Sequence, residues 1–122
     1  MSMIKSLDHI ALICSSEQTV EFYERLGFAE VSRENRGYDS IVYLSSYGID
    51  LELYIDPTHP QRIDKPEANG LRHMGFRVDD VAKTVEWLKA FDITAEPIRE
   101  KDGKHFTFFR DPDGQPIEIK EG

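Results

Sequence analysis

Apolar and polar residues alternate along several short stretches of the chain, and two of those stretches carry a histidine. LDHIAL (7–12) and LRHMGF (71–76) both have the period-two pattern of a strand. The likeness between these regions continues beyond the histidines. VEFYERLGF (20–28) matches VEWLKAFDI (85–93), and DLELY (50–54) matches PIEIK (116–120). The offset between partners grows by one residue per element, from 64 to 65 to 66. One module written twice, with small loop insertions, accounts for that drift.

Each copy predicts the order β-α-β-β-β. In the first, a strand at about 6–13 leads into SSEQ, where Ser15 or Ser16 can cap a helix and Glu17 favours its first turn. Val20, Tyr23 and Leu26 share a helical face, and Gly27 suits the helix end. Strands are expected near 28–35, 39–46 and 48–55, with Gly37 and Gly48 at turns. In the second copy a strand at 71–78 runs into Asp79-Asp80, candidate caps for a helix with Val81, Val85 and Leu88 on one stripe. Strands are expected near 92–99, 104–110 and 115–121, separated by Asp102-Gly103 and Asp111-Pro112-Asp113-Gly114. The intervening DPTHPQRIDKPEANG (56–70) has three prolines and reads as a surface linker at the rim of a site.

The same alternation says where the histidines point. Ile10 and Leu12 take one face of the first strand, leaving His9 and Ala11 on the other. Leu51 and Leu53 oppose Asp50, Glu52 and Tyr54. Met74, Phe76 and Val78 oppose His73 and Gly75, while Ile117 and Ile119 oppose Pro116, Glu118 and Lys120. The helices must cover the apolar faces, so His9, Glu52, His73 and Glu118 project from the uncovered side. In a β-α-β-β-β module the first and fourth strands can be neighbours, which brings His9 near Glu52 and His73 near Glu118. Two carboxylates in one concavity are costly unless a cation neutralises them. Two imidazoles and two carboxylates suit a first-row divalent ion; zinc, nickel, cobalt, manganese and ferrous iron all remain open.

Composition narrows the setting. With 122 residues, 39% of them apolar, and 13 aromatics, the chain is expected to form one packed domain. A net charge of −8 argues against nucleic acid or an anionic membrane as partner. The single cysteine, Cys14, cannot form an internal disulfide and reads as an inert packed thiol, which fits a reducing, cytoplasmic setting. The N-terminal stretch lacks a clean leader pattern, and no apolar run is long enough to span a bilayer. Arg33, Arg36, Arg99, Lys104 and Arg110 could meet substrate carboxylates but are read as solvating the surface, and His59 and His105 as solvent-facing or rim residues. RDPDG (110–114) is read as a turn rather than a catalytic motif.

LDHIAL, FYERLGF, LELY, GLRHMGFRVDDV and FTFFRDPDGQPIEI, in that order, resemble the vicinal oxygen chelate superfamily and, within it, short glyoxalase I-like proteins. The resemblance spans about residues 5–120. It implies an α+β fold in which two paired βαβββ modules form a curved, cup-like mixed sheet, with helices on the outer face. Residues 1–122 would be a single domain, with module one at about 5–55 and module two at about 71–121. The ligand set of the glyoxalase I-like members, His or Gln, Glu, His, Glu, matches His9, Glu52, His73 and Glu118 in order.

What this implies is a lyase or isomerase that holds one divalent metal, with zinc or nickel favoured and cobalt, manganese or iron as alternatives. It would convert a hemithioacetal of a 2-oxoaldehyde with glutathione or another thiol through a metal-bound enediolate. Glu118 or Glu52 would act as base, with Glu118 preferred. The superfamily also holds epimerases, thiol transferases, extradiol dioxygenases and non-catalytic binding proteins, and these are the alternatives. Dioxygenases and fosfomycin enzymes resemble a three-ligand pattern without Glu52, so that residue selects among them. A homodimer is expected on the same resemblance. The chain lacks the extra helices that some glyoxalase I proteins place at the substrate mouth.

Overall fold

A computed structural model describes residues 2–122; Met1, the first residue of the N-terminal stretch read above, lies outside them. The chain divides into two units, residues 1–60 and 61–122.

The first unit runs β1 (His9–Cys14), α1 (Glu17–Arg25), β2 (Ala29–Asn35), β3 (Ser40–Ser46) and β4 (Ile49–Ile55). Its four-stranded sheet has the order β1-β4-β3-β2, with β1 parallel to β4 and the other pairs antiparallel. Helix α1 starts where Ser16 Oγ accepts the Gln18 N–H at 3.2 Å. It stops at Gly27, whose φ of +111° favours glycine. A side chain there would also strike the Tyr47 ring, whose hydroxyl bonds the Leu26 carbonyl. Val20, Tyr23 and Leu26 are buried, as are Leu12, Leu44, Leu51 and Leu53.

The second unit repeats the order with β5 (Met74–Val78), α2 (Val81–Lys89), β6 (Arg99–Lys101), β7 (Lys104–Arg110) and β8 (Pro116–Glu121). Its sheet is β5-β8-β7-β6, again with a parallel first pair. Helix α2 is capped twice. Asp80 Oδ1 accepts the Lys83 N–H, and Glu121 Oε2 reaches from β8 to accept the Val81 N–H, each at 3.0 Å. The Val81 N–H, with the His105 N–H, holds the Glu121 carboxyl below its ordinary value. Helix α2 lies against β7 and β8, where Leu88, Ile117, Ile119 and Phe109 are buried.

Two expectations need correction. The strand at 92–99 is reduced to three residues, Arg99–Lys101. Asp92 has φ of +61° and closes the helix end, and Pro97 has no N–H to pair. The Glu96 N–H donates to Phe108 O of β7, and the Thr107 hydroxyl donates to the Glu96 carbonyl. The strand expected at 71–78 begins at Met74, so His73 stands at its entrance rather than within it.

The RDPDG segment is a turn, and Asp111 builds it. Its Oδ1 accepts the N–H groups of Asp113 at 2.8 Å and Gln115 at 3.0 Å, and its side chain is buried. Asp111→Ala leaves both donors without that acceptor and is expected to cost about 1–3 kcal/mol in chemical denaturation. No helix among the described residues is long and apolar enough to cross a membrane.

Candidate metal centre

In the first unit the parallel register sets Ala11 of β1 beside Glu52 of β4. The small side chain of Ala11 leaves room on the open face, and Glu52 leans back toward the histidine two residues earlier. His9 Nε2 stands 3.4 Å from Glu52 Oε2. The second unit does the same with different residues. Gly75 lies beside Glu118, and His73 Nε2 stands 3.4 Å from Glu118 Oε1. A methyl group at Gly75 would meet Glu118 Oε1 at 3.6 Å, an ordinary contact. Each unit thus sets one imidazole beside one carboxylate, His9 from the first position of β1 and His73 from the residue just before β5.

Each His–Glu pair has the donor chemistry and spacing of two ligands to one divalent ion. At 3.4 Å both pairs are longer than a charge-assisted hydrogen bond, which runs about 2.7–2.9 Å. Two donors each about 2.1 Å from a shared ion stand roughly 3.0–3.5 Å apart. Glu52 and Glu118 are mostly shielded from solvent, at 19% and 18% side-chain exposure, so a nearby positive charge would stabilise them. The structure places the four predicted residues as two pairs, His9–Glu52 in the first unit and His73–Glu118 in the second. Among the described residues no group of three or more His, Cys, Asp or Glu is clustered for an ion.

Each pair has a different surround. Asp8 Oδ2 lies 2.8 Å from His9 Nδ1, so a proton on that nitrogen is donated to Asp8 and Nε2 is turned toward Glu52. The Asp8 contact, with Glu52 adding, raises the His9 pKa above its ordinary value. The Tyr54 hydroxyl donates to Glu52 Oε1 at 3.2 Å. Burial, then Glu52 itself, pushes the Tyr54 phenol up, so the hydroxyl stays a donor. In the second unit Arg72 stands where Asp8 stands in the first, and pairs with Glu67 at 2.5 Å. His73 Nδ1 is consequently buried without a hydrogen-bond partner. The His73 ring is instead held edge to face by Phe108, with centroids 5.0 Å apart.

Asp8, Tyr54 and Phe108 were not singled out from the sequence. Signals existed: Asp8 immediately precedes His9, and Tyr54 follows Glu52 by two positions on the same face. The remaining candidates fall elsewhere. Arg33 bonds Glu30 and Glu17, and Arg36 bonds Asp39, holding the Glu30 and Asp39 carboxyls below their usual range. Arg110 bonds Asp64 and the Gly114 carbonyl. Lys104 is exposed at the start of β7, and Arg99 lies over the Phe106 and Phe108 rings. His59 Nδ1 is 2.9 Å from the Cys14 carbonyl and His105 Nδ1 is 3.1 Å from Glu121. Cys14 is buried.

Three comparisons place the chain among known proteins. It is 42% identical to YwkD of Bacillus subtilis over a 126-residue alignment that covers 98% of each chain. It is 29% identical to the Vibrio cholerae protein named probable lactoylglutathione lyase, over 98% of this chain and 91% of that one. The crystal structure of a glyoxalase family protein from Enterococcus faecalis is similar at a TM-score of 0.91 and 35% identity, covering 98% of this chain and 100% of that one. The profile of the glyoxalase/bleomycin resistance protein/dioxygenase superfamily matches residues 6–119, and the chain belongs to that superfamily.

Proposed function

We propose that the chain is a metal-dependent lyase or isomerase of the glyoxalase I type. Its substrate would be the hemithioacetal of a 2-oxoaldehyde with glutathione or another thiol. His9, Glu52, His73 and Glu118 would hold one divalent ion, zinc or nickel in preference to cobalt, manganese or iron. The observation that carries the reading is the repeated His–Glu pair, at 3.4 Å in both units, on the open face of a parallel strand pair. The likeness to the Vibrio cholerae protein supports it.

A bound ion would supply Lewis-acid stabilisation of the charge that develops on two neighbouring substrate oxygens. The chain's own residues supply the rest. A carboxylate takes the proton from the carbon that bears sulfur and returns it to the adjacent carbon, so the hemithioacetal becomes a 2-hydroxyacyl thioester. Glu118 is the better base. Tyr54 holds Glu52 in place, whereas no hydrogen bond is seen to Glu118 among the described residues. Phe108 beside His73 keeps that side of the pair apolar. Asp8 keeps the His9 ring oriented.

The test is turnover of methylglyoxal premixed with glutathione, cysteine or coenzyme A by protein loaded with zinc, nickel, cobalt or manganese. Metal-dependent thioester formation is expected with at least one thiol. Absence of thioester with every metal and thiol would remove this reading.

A further inference from the structure

The second unit carries a half-open cavity of about 750 Å³ over the open face of its sheet, bordered by His73 and Phe108. Its charge runs against that of the chain. Residues 61–122 hold 11 Lys and Arg against 13 Asp and Glu, so the excess of positive charge is confined to the cavity wall. Four arginines and Lys65 line this cavity, against three carboxylates. The carboxylates are also stretched thin. Asp64 alone answers both Arg62, at 2.8 Å, and Arg110, at 2.7 Å. Arg72 is taken up by Glu67.

Of the four arginines that line the cavity, Arg99 has the weakest pairing. Its Nη2 is 3.7 Å from Glu96 Oε1, beyond hydrogen-bond range, and both side chains are about half exposed. The guanidinium lies 5.0 Å over the Phe106 ring and 5.2 Å over the Phe108 ring. Stacking on aromatic faces fixes the guanidinium plane while leaving its edge donors open. Phe108 is the ring that also abuts His73, so one aromatic residue separates the guanidinium from the imidazole. A guanidinium edge matches a carboxylate or phosphate through two parallel N–H···O bonds.

We propose that the substrate carries a carboxylate or phosphate at the end of a short carbon chain, and that Arg99 is the residue that selects it. The other end of the substrate meets His73 and Glu118, and the carbon chain between packs on Phe108. This rests on the reading above only in taking the His73–Glu118 pair as the reacting end. Excess positive charge around the cavity draws such an anion in from solution.

Calorimetry on the full chain, with and without bound nickel, tests it using three probes that share a pair of neighbouring oxygens. 2-Hydroxybutyrate has a neutral tail, malate a carboxylate tail and 3-phosphoglycerate a phosphate tail. One charged probe is expected to bind about tenfold or more tightly than 2-hydroxybutyrate. Which one it is identifies the anion. Arg99→Gln should abolish that preference while leaving 2-hydroxybutyrate affinity within about twofold, and Arg99→Lys should restore part of it. Arg99 is exposed, so unchanged circular dichroism is expected for both variants. Equal binding of all three probes, no binding of any, or a preference that survives Arg99→Gln overturns the proposal. A preference that depends on Arg99 but not on nickel upholds it and overturns the metal reading instead.

Discussion

Glu118→Gln is expected to slow thioester formation by about a hundredfold or more, because general-base catalysis supplies factors of roughly 10²–10⁴. The amide keeps the size of the side chain and an oxygen donor, but it cannot accept the substrate proton. Glu52→Gln is the informative comparison. Glu52 already accepts a hydrogen bond from the Tyr54 hydroxyl at 3.2 Å, which suits a fixed ligand more than a moving base. Its amide variant should lose metal affinity more than intrinsic turnover at saturating metal. If Glu52→Gln is as slow as Glu118→Gln at saturating metal, the roles of the two carboxylates have been assigned the wrong way round. If Glu52→Gln behaves as the natural chain in both respects, a three-ligand chemistry replaces the four-ligand one. Steady-state rates across a metal titration separate these outcomes.

Leu53→Ala is expected to destabilise the chain by about 2–5 kcal/mol. Leu53 lies on β4 next to Glu52 and is fully buried, pairing in register with Leu12 of β1 and Val42 of β3. Truncation removes apolar contact on the covered face and leaves a void directly beneath the site strand. Leu53→Met nearly conserves volume and should cost less than about 1.5 kcal/mol. Urea unfolding followed by circular dichroism measures both. Equal midpoints for Leu53→Ala and the natural chain would contradict the placement of this residue in the core.

Much of the architecture was readable because alternation is a strong signal where one sheet face is covered. Leu51 and Leu53, or Ile117 and Ile119, announce the buried face, and that fixes the side taken by Glu52 and Glu118. The caps were equally local, with Ser16 and Asp80 each beginning its helix. The strand expected at 92–99 failed because its apolar residues serve other ends. Ile93 is buried just past the helix end, at Leu88 O, and Pro97 interrupts pairing.

The surround of each imidazole was hidden for a different reason. Asp8 acts from the adjacent position, and Phe108 acts from β7, two strands away from β5. Neither relation is written in a period of two. Glu121 is a similar case, since its carboxylate leaves β8 to cap α2, a contact that spans 40 residues of sequence.

The proposed activity requires that two imidazoles and two carboxylates share a single ion. Metal content by elemental analysis, on protein purified without chelator and then dialysed against nickel or zinc, tests this most directly. One divalent ion per chain is expected in the natural protein, with strong loss in both His9→Ala and His73→Ala. Undiminished metal content in either variant would contradict it.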